Sequence, residues 1–536
     1  MKLQIIVIVF LLALSGCTEG QQDQQAEAMN QPIEWNKMVF YEIFVQSFAD
    51  SNGDGIGDIN GMSAKLDYLS DLGVDAIWLM PMSPSPSYHK YDVTDYTGIH
   101  PDYGTMEDFK AFVEAAHKKD IRIIVDFVIN HSGYDHPWFQ DALQGKSAKY
   151  RDYYVWADKD SIVEQIAKKE TSFDSDNIRQ WHPVEGDTTE EHYYGFFYGG
   201  MPDLNYDNPV VRQEVYQAGR YWLEDVGVDG FRLDAAKHIY PDDRAEDSHA
   251  FWREFKAEME QVNANVYLIG EVWADAATAS PYAAGFTSLF NFDRAFSILE
   301  SINNGRVVAA NIKGHGYQID SSANMADVIN TSLPWFKKYN PEFVEASFLS
   351  NHDQNRVASV LGNDPAKVKL AAAMLFTLPG TPYVYYGEEI GMLGMKPDEN
   401  IREPMPWDNL AEDAARATWM EPAYTTDKSV KPAKLQASDP TSVLYLYKQL
   451  IALKKEPVFT EGDIQHLDFG NSGIVAFTRN IEGESVAVIH NLSAKSQQLD
   501  ATLVEDYQIE HWVSTSIDRS DEVLTVPARG SVVFRK

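Results

Sequence analysis

The sequence predicts an α/β fold: a (β/α)8 barrel, with an inserted domain after its third strand and a C-terminal antiparallel β-domain. Three observations predict it. Eight short apolar runs alternate with amphipathic stretches, the rhythm of βαβ units around a parallel sheet. That rhythm stops for about 70 residues between "DFVINH" and "GMPDLNYDNP", too long for a plain loop. It changes after "TSVLYLYKQLIALKKEP" to short strands with turn signals between them. The expected boundaries are 35–130 and 206–455 for the barrel, 131–205 for the insertion and 456–536 for a sandwich-like C-terminal domain.

The elements read as follows along the chain. "MVFYEIFVQSF" is the first strand and "LDYLSDLG" a helix. "VDAIWLMP" is the second strand. "MEDFKAFVEAAHKKD" has helical spacing and runs into "IRIIVDFVIN", a buried third strand. The later strands are "GVDGFRLD", "VYLIGEVW", "TSLFNF", "VEASFLSNHD" and "PYVYYGEE". Helical stretches such as "PVVRQEVYQAGRYWLEDV" and "PAKVKLAAAMLFTLP" lie between some of them. The inserted stretch is rich in Tyr, Trp, His and Asp. At the C-terminus, "GIVAFTRN", "SVAVIHNLS", "YQIEHWVS" and "SVVFRK" are short strands.

Composition bounds the function. Hydrophobic residues are 44% and aromatics 12% of the 536 residues, enough for packed cores and against disorder. The net charge of −35 disfavours nucleic acid and disfavours electrostatic attachment to anionic lipid. The one cysteine, Cys17, excludes an internal disulfide. It follows Lys2, an apolar run from Ile5 to Leu14, and Ser15-Gly16. The run is too short to span a bilayer but suits the core of a signal peptide over residues 1–16. Leu14-Ser15-Gly16-Cys17 resembles the bacterial lipobox, which implies lipidation at Cys17. Residues 17–34 then read as a flexible polar tether. The expectation is an exported, membrane-anchored bacterial lipoprotein, periplasmic or at the cell surface. The sequence leaves oligomeric state open.

Barrel enzymes carry their active sites at the C-terminal ends of the strands. Here those ends are polar. The third strand reaches Asp126 and then Asn130-His131. The fourth reaches Arg232 and Asp234, the fifth Glu271, and the seventh His352-Asp353. Arg232 and Asp234 are two apart and share one face of a strand. Alone, that pair reads equally well as a structural salt bridge under a loop.

Together these segments resemble the signature regions of the α-amylase superfamily of α-retaining glycoside hydrolases and transglycosylases. "DFVINH", "GFRLDAAKH", "EVW" and "FLSNHD" are similar to its four main regions in order and spacing. "MPDLN" resembles a fifth region; "YEIFVQSF", "HKYDVTDYTGIHPDYG" and "GTPYVYYGEEIGM" are also similar to family segments. The resemblance covers roughly residues 35–536. It implies that Asp234 is the nucleophile, kept ionised by Arg232, and that Glu271 is the general acid/base. Retention needs two such carboxyls about 5–5.5 Å apart. It further implies Asp353 as a third carboxylate, His131 and His352 as donors to the sugar, and Tyr91 stacking on it beside Asp92. Lys237 and His238 would meet the leaving-group side.

"DSNGDGIGD" places Asp50, Asn52, Asp54 and Asp58 at ligand positions 1, 3, 5 and 9 of a calcium loop, with the Ile56 carbonyl at position 7. Position 12 is Gly61, so the usual Glu is absent and no EF-hand is expected. The resemblance implies a possible second calcium using Asn130.

The specificity signals are mixed. "DAAKH" resembles enzymes acting on α-1,4 glucans. "MPDLN" looks intermediate between the oligo-1,6-glucosidase and neopullulanase groups. "IREPMPW" resembles the α-glucosidase branch, where Arg402 would close the non-reducing end of the site. The expected function is an α-amylase acting on α-1,4 bonds of starch and maltooligosaccharides. An exo-acting α-glucosidase, oligo-1,6-glucosidase or neopullulanase-like activity is the alternative. A silent glycan-binding lipoprotein is disfavoured, because all three carboxylates are present.

Overall fold

The computed structural model describes residues 32–536 except 168–169, 173–174, 179, 185–190, 309–323, 410 and 513–516. The expected signal peptide, Cys17 and nearly all of the tether lie outside the described residues. Among the described residues no helix is long and apolar enough to cross a membrane.

Eight strands close a parallel barrel. They are β1 (Phe40–Ile43), β2 (Ala76–Leu79), β3 (Arg122–Phe127), β4 (Gly230–Leu233), β5 (Tyr267–Gly270), β6 (Ser288–Phe290), β7 (Val344–Phe348) and β8 (Thr381–Tyr385). Each pairs with its sequence neighbour, and β8 closes on β1 with Phe40 opposite Tyr383. The period of two decides what faces inward. On β1, Tyr41 and Ile43 join the apolar layer under the helices, while Phe40 stacks inside the barrel on Tyr267 and Tyr383 at 4.9 and 4.5 Å. Trp78 and Phe290 pack beside them at 5.3 Å. One pleat further toward the C-terminal ends, this aromatic layer gives way to buried Glu42, Asp126 and Arg232. Gly230 is where β4 comes closest to β5: a Cβ there would lie 2.0 Å from the Tyr267 carbonyl oxygen.

The segment "MVFYEIFVQSF" is a strand only to Ile43; Val45–Phe48 is a short helix. The reason is where its backbone bonds go. The Gln46 and Ala49 carbonyls accept from Gly57 and Asp58, so this stretch clasps the next loop instead of extending a ladder.

Between β3 and β4, Trp156–Asp158, Glu191–Tyr194 and Trp181–Pro183 form a small antiparallel sheet. Bridges His131–Asp203 and Tyr154–Leu204 bring both ends of the insertion to the barrel rim. At the C-terminus the four expected strands are Ile474–Ile481, Glu484–Asn491, Gln508–Trp512 and Ser531–Arg535. They share a five-stranded sheet with Asp463–His466. A second sheet of Gln497–Asp500, Val523–Val526 and Asp518–Arg519 accompanies it. Gln497–Asp500, Asp518–Arg519 and Asp463–His466 carry few apolar residues, so hydrophobic pattern does not mark them, and Val523–Val526 is apolar but only four residues long.

Candidate active site

Arg232 is the centre of the site. It is fully buried, and its guanidinium reaches three carboxylates from three strand ends. Nη1 donates to Asp126 at 2.9 Å and to Asp234 at 2.7 Å. Nη2 lies 2.8 Å from Glu271 Oε2 as an ion pair without hydrogen-bond alignment. The ring of Trp78 lies 5.2 Å below. After Leu233 the chain leaves the sheet: Ala235 takes a left-handed conformation, φ 47°, and its N–H points to Glu271 Oε2 at 3.4 Å. Burial pushes Glu271 up to about 7, against the pull of Arg232. Burial does the same to Asp126, again opposed by Arg232. These groups titrate as a cluster.

Asp353 sits in a second ion-pair network. Burial alone would raise it, but His352 and then Arg402 hold it well below the usual carboxylate range. His352 Nε2 lies 2.9 Å from its Oδ2, and Arg402 Nη2 is 3.0 Å from its Oδ1. Burial favours neutral His352, yet Asp353 and Glu42 push it up to about 10. The Tyr91 hydroxyl accepts from His352 Nε2 at 2.6 Å and donates to Asp126 at 3.1 Å. The two networks are thereby joined.

These groups line a cleft of about 420 Å³. Asp234, Glu271 and Asp353 face it with Tyr91, His131, His238 and Arg402. His352 and Arg232 lie beneath it. His238 stacks on Phe196 at 3.9 Å, and burial lowers His131. Arg402 also meets Asp398 at 3.2 Å and Tyr88 at 3.2 Å. Two expected substrate contacts carry bonds of their own. Asp92 is buried near the cleft residues His89, His131 and Tyr198, and its Oδ1 accepts from the hydroxyls of Ser85 and Ser87. Lys237 pairs with Asp242 at 3.0 Å and is not a lining residue. Trp273, Phe197, Tyr198 and Met201 also line the cleft, and Glu42 pairs with His352 beneath it, though no motif marks these five as site residues. The signal for Glu42 was an acid inside an apolar strand. Trp273 stacks on Phe292 at 4.6 Å and lines the cleft two residues after Glu271.

The 50–58 loop is ordered by its own acids. Asp50 Oδ1 accepts from the N–H groups of Asn52 and Gly53, and Oδ2 from Gly55. Asn52 accepts from Asp54, and Asp54 from Ile56. Asp58 accepts from Ser51 and caps the helix Ile59–Ala64 through Gly61. Gly53 and Gly55 have φ of 82° and 94°, a turn that favours glycine. The donors are hard oxygens, the chemistry calcium takes. Among the described residues no three acidic, His or Cys side chains converge as a metal cluster. At the rim, the buried Asn130 Oδ1 has no hydrogen-bond partner. Burial pushes nearby Asp203 up to about 8, partly offset by the Phe196 N–H and the Asn130 side chain.

Comparison with known proteins agrees with this architecture. The family model described as "Alpha amylase, catalytic domain" matches residues 42–462. The chain is 40% identical over 466 residues to alpha-amylase 3 of Dictyoglomus thermophilum, covering 87% of this chain and 86% of that one. It is 35% identical over 480 residues to the 4-alpha-glucanotransferase of Thermotoga neapolitana, covering 88% of this chain and all of the relative. Among solved structures, the alpha-amylase from H. orenii superposes with a TM-score of 0.82 at 39% identity, over 93% of this chain and 99% of that one.

Proposed function

The chain belongs to the α-amylase family, and on that premise we propose that it hydrolyses α-1,4-glucosidic bonds of starch and maltooligosaccharides with retention. One observation carries the proposal: a single buried guanidinium holds both Asp234 and Glu271 on the floor of the cleft. Asp234, ionised against Arg232, attacks the anomeric carbon. Glu271, protonated because its pKa is raised, gives its proton to the leaving oxygen. A glycosyl ester on Asp234 results. Glu271, now a carboxylate, takes a proton from water, which displaces Asp234. Asp353, anionic beside His352 and Arg402, binds sugar hydroxyls and offsets positive charge developing on the ring.

The test is a time course on soluble starch with Asp234→Asn as the blank. Early maltooligosaccharides, absent in the variant, support the reading. No product from starch, maltotriose or isomaltose refutes it. An exo-acting α-glucosidase is the second reading. It is favoured by the Arg402–Asp353–Asp398 ion pairs at the cleft wall. Glucose as sole first product would establish it.

Calcium and the membrane anchor belong to the same proposal. Asp50, Asn52, Asp54, Asp58 and the Ile56 carbonyl would hold calcium and stiffen a loop tied through Gln46 and Ala49 to the end of β1. The orphaned Asn130 oxygen beside Asp203 supports a second ion at the rim. Neither ion takes part in bond cleavage. Lipidation at Cys17 is supported by the lipobox-like sequence. A Cys17→Ser chain released from membranes would agree with it; one retained there would not.

A further inference from the structure

Glu42 has no role in the chemistry described above, yet it is 1% exposed inside the barrel. Burying a carboxylate is costly unless it is paired. Its partner is His352, whose Nδ1 lies 2.6 Å from Glu42 Oε1. The other ring nitrogen lies 2.9 Å from Asp353 Oδ2. Both ring nitrogens thus face carboxylate oxygens, which only accept. A neutral imidazole has one N–H and would turn a lone pair on one of the two carboxylates. With the Tyr91 hydroxyl already donating to Asp126, a charged ring serves Glu42, Asp353 and Tyr91 together, and two flanking carboxylates favour that form.

We propose that Glu42 is a positioning residue for the glycosidase reaction, holding His352 as an imidazolium with its Nε2–H fixed on Asp353 and Tyr91. The proposal rests on the reading of Asp353 as a carboxylate that serves the reaction. Glu42 reaches Asp353 only through the ring. Its negative charge balances one side of the imidazolium, so the positive charge stays beside Asp353 across the working pH range. Asp353 in turn keeps a fixed orientation and a fixed charge opposite Glu271.

The groups around the ring agree. Tyr91, from the loop after β2, accepts from Nε2 at 2.6 Å. Trp78 of β2 sets its ring edge to His352 at 5.5 Å. Arg402 donates to the His352 carbonyl at 3.0 Å and to Asp353. Asp126 of β3 and Glu271, just after β5, both feel the imidazolium charge. Tyr385 of β8 faces Glu42 and is kept neutral by burial. Glu42 is therefore the carboxylate that faces Nδ1, and Asp353 the one that faces Nε2.

The experiment compares native enzyme, Glu42→Gln and Asp353→Asn on a maltooligosaccharide from pH 5 to 9, with thermal melting of each. Gln keeps the shape and an acceptor but not the charge. Losing a charge this close lowers the histidine's proton affinity by about 1–3 pK units from about 10, so kcat of Glu42→Gln relative to the native enzyme should be nearly unchanged at pH 6, fall by up to about 10-fold at pH 8, and fall further at pH 9. KM should change less. A purely structural role would lower the melting temperature and leave the shape of the pH profile unchanged, and that result overturns the proposal. A variant-free check uses the native enzyme with 15N-labelled histidine. Two ring N–H protons on His352 up to pH 8 are expected. A neutral ring with one N–H at pH 7 overturns it. Full activity in Asp353→Asn would instead sink the reading of Asp353 beneath it.

Discussion

Replacing Arg232 with Met tests the centre of the site most directly. Met fills a similar volume and removes the charge. It leaves Asp126, Asp234 and Glu271 around an apolar side chain, where they now share a guanidinium at 2.9, 2.7 and 2.8 Å. Removing one partner of a buried ion pair costs about 3–5 kcal/mol, because the other charge is left uncompensated. The sign with pH follows from linkage. Asp126 and Glu271 stand at about 7 in the native fold, above their unfolded values. Without Arg232 they rise further, so the folded variant binds more protons than the native fold through pH 7 and above. Its deficit is therefore small at pH 5. It grows by up to about 1.4 kcal/mol per pH unit for each group that the native fold ionises. Urea unfolding at pH 5, 7 and 8 measures it, and a deficit of about 3–5 kcal/mol is expected at pH 8. The same variant should lose about 100- to 1,000-fold in kcat/KM, the usual cost of removing a preorganised charge. A deficit under about 1 kcal/mol at pH 8, or one that does not change with pH, would refute the reasoning.

Glu271 should set the alkaline limb of activity. It must be protonated for the first step, so kcat/KM should fall as pH rises through about 7. Glu271→Gln should lose most activity on maltooligosaccharides but far less on a glucosyl fluoride, whose leaving group needs little proton transfer; equal losses would argue against the role. Gly230→Ala would force a Cβ to within 2.0 Å of the Tyr267 carbonyl oxygen, so β4 must shift and carry Arg232 and Asp234 with it. About 3 kcal/mol of stability should be lost along with activity, and an unchanged melting curve would contradict that close approach. If the 50–58 loop holds calcium, the ion at 100 times its Kd should add about 2.7 kcal/mol to stability. Asp54→Asn should shrink that increment, and titration calorimetry showing equal binding in the variant would remove Asp54 from the site.

The barrel and the identity of its chemical groups are legible in the order of residues alone. Period and length make the barrel so: short apolar runs buried on both faces, separated by helical stretches, close into a parallel sheet. The motifs at the strand ends placed Arg232, Asp234, Glu271 and Asp353 on one rim before any coordinates. Local pattern could also find the Asp/Asn/Gly loop at 50–58, because its hydrogen bonds run within nine residues. Other features came only from tertiary structure. Asp92 reads as a site residue beside Tyr91, and only the folded loop shows that Ser85 and Ser87 both bond its Oδ1. Lys237 directly follows a cleft segment, yet its chain reaches Asp242. Glu42 is 310 residues from His352, and no periodicity connects them. Closure of the barrel does, by setting β1 near β7. A strand pattern fixes which side chains point inward; only the closed sheet decides which of them meet. The charges of Glu42, His352, Asp353 and Arg402 depend on that meeting, since burial makes each of them costly alone and stable only together.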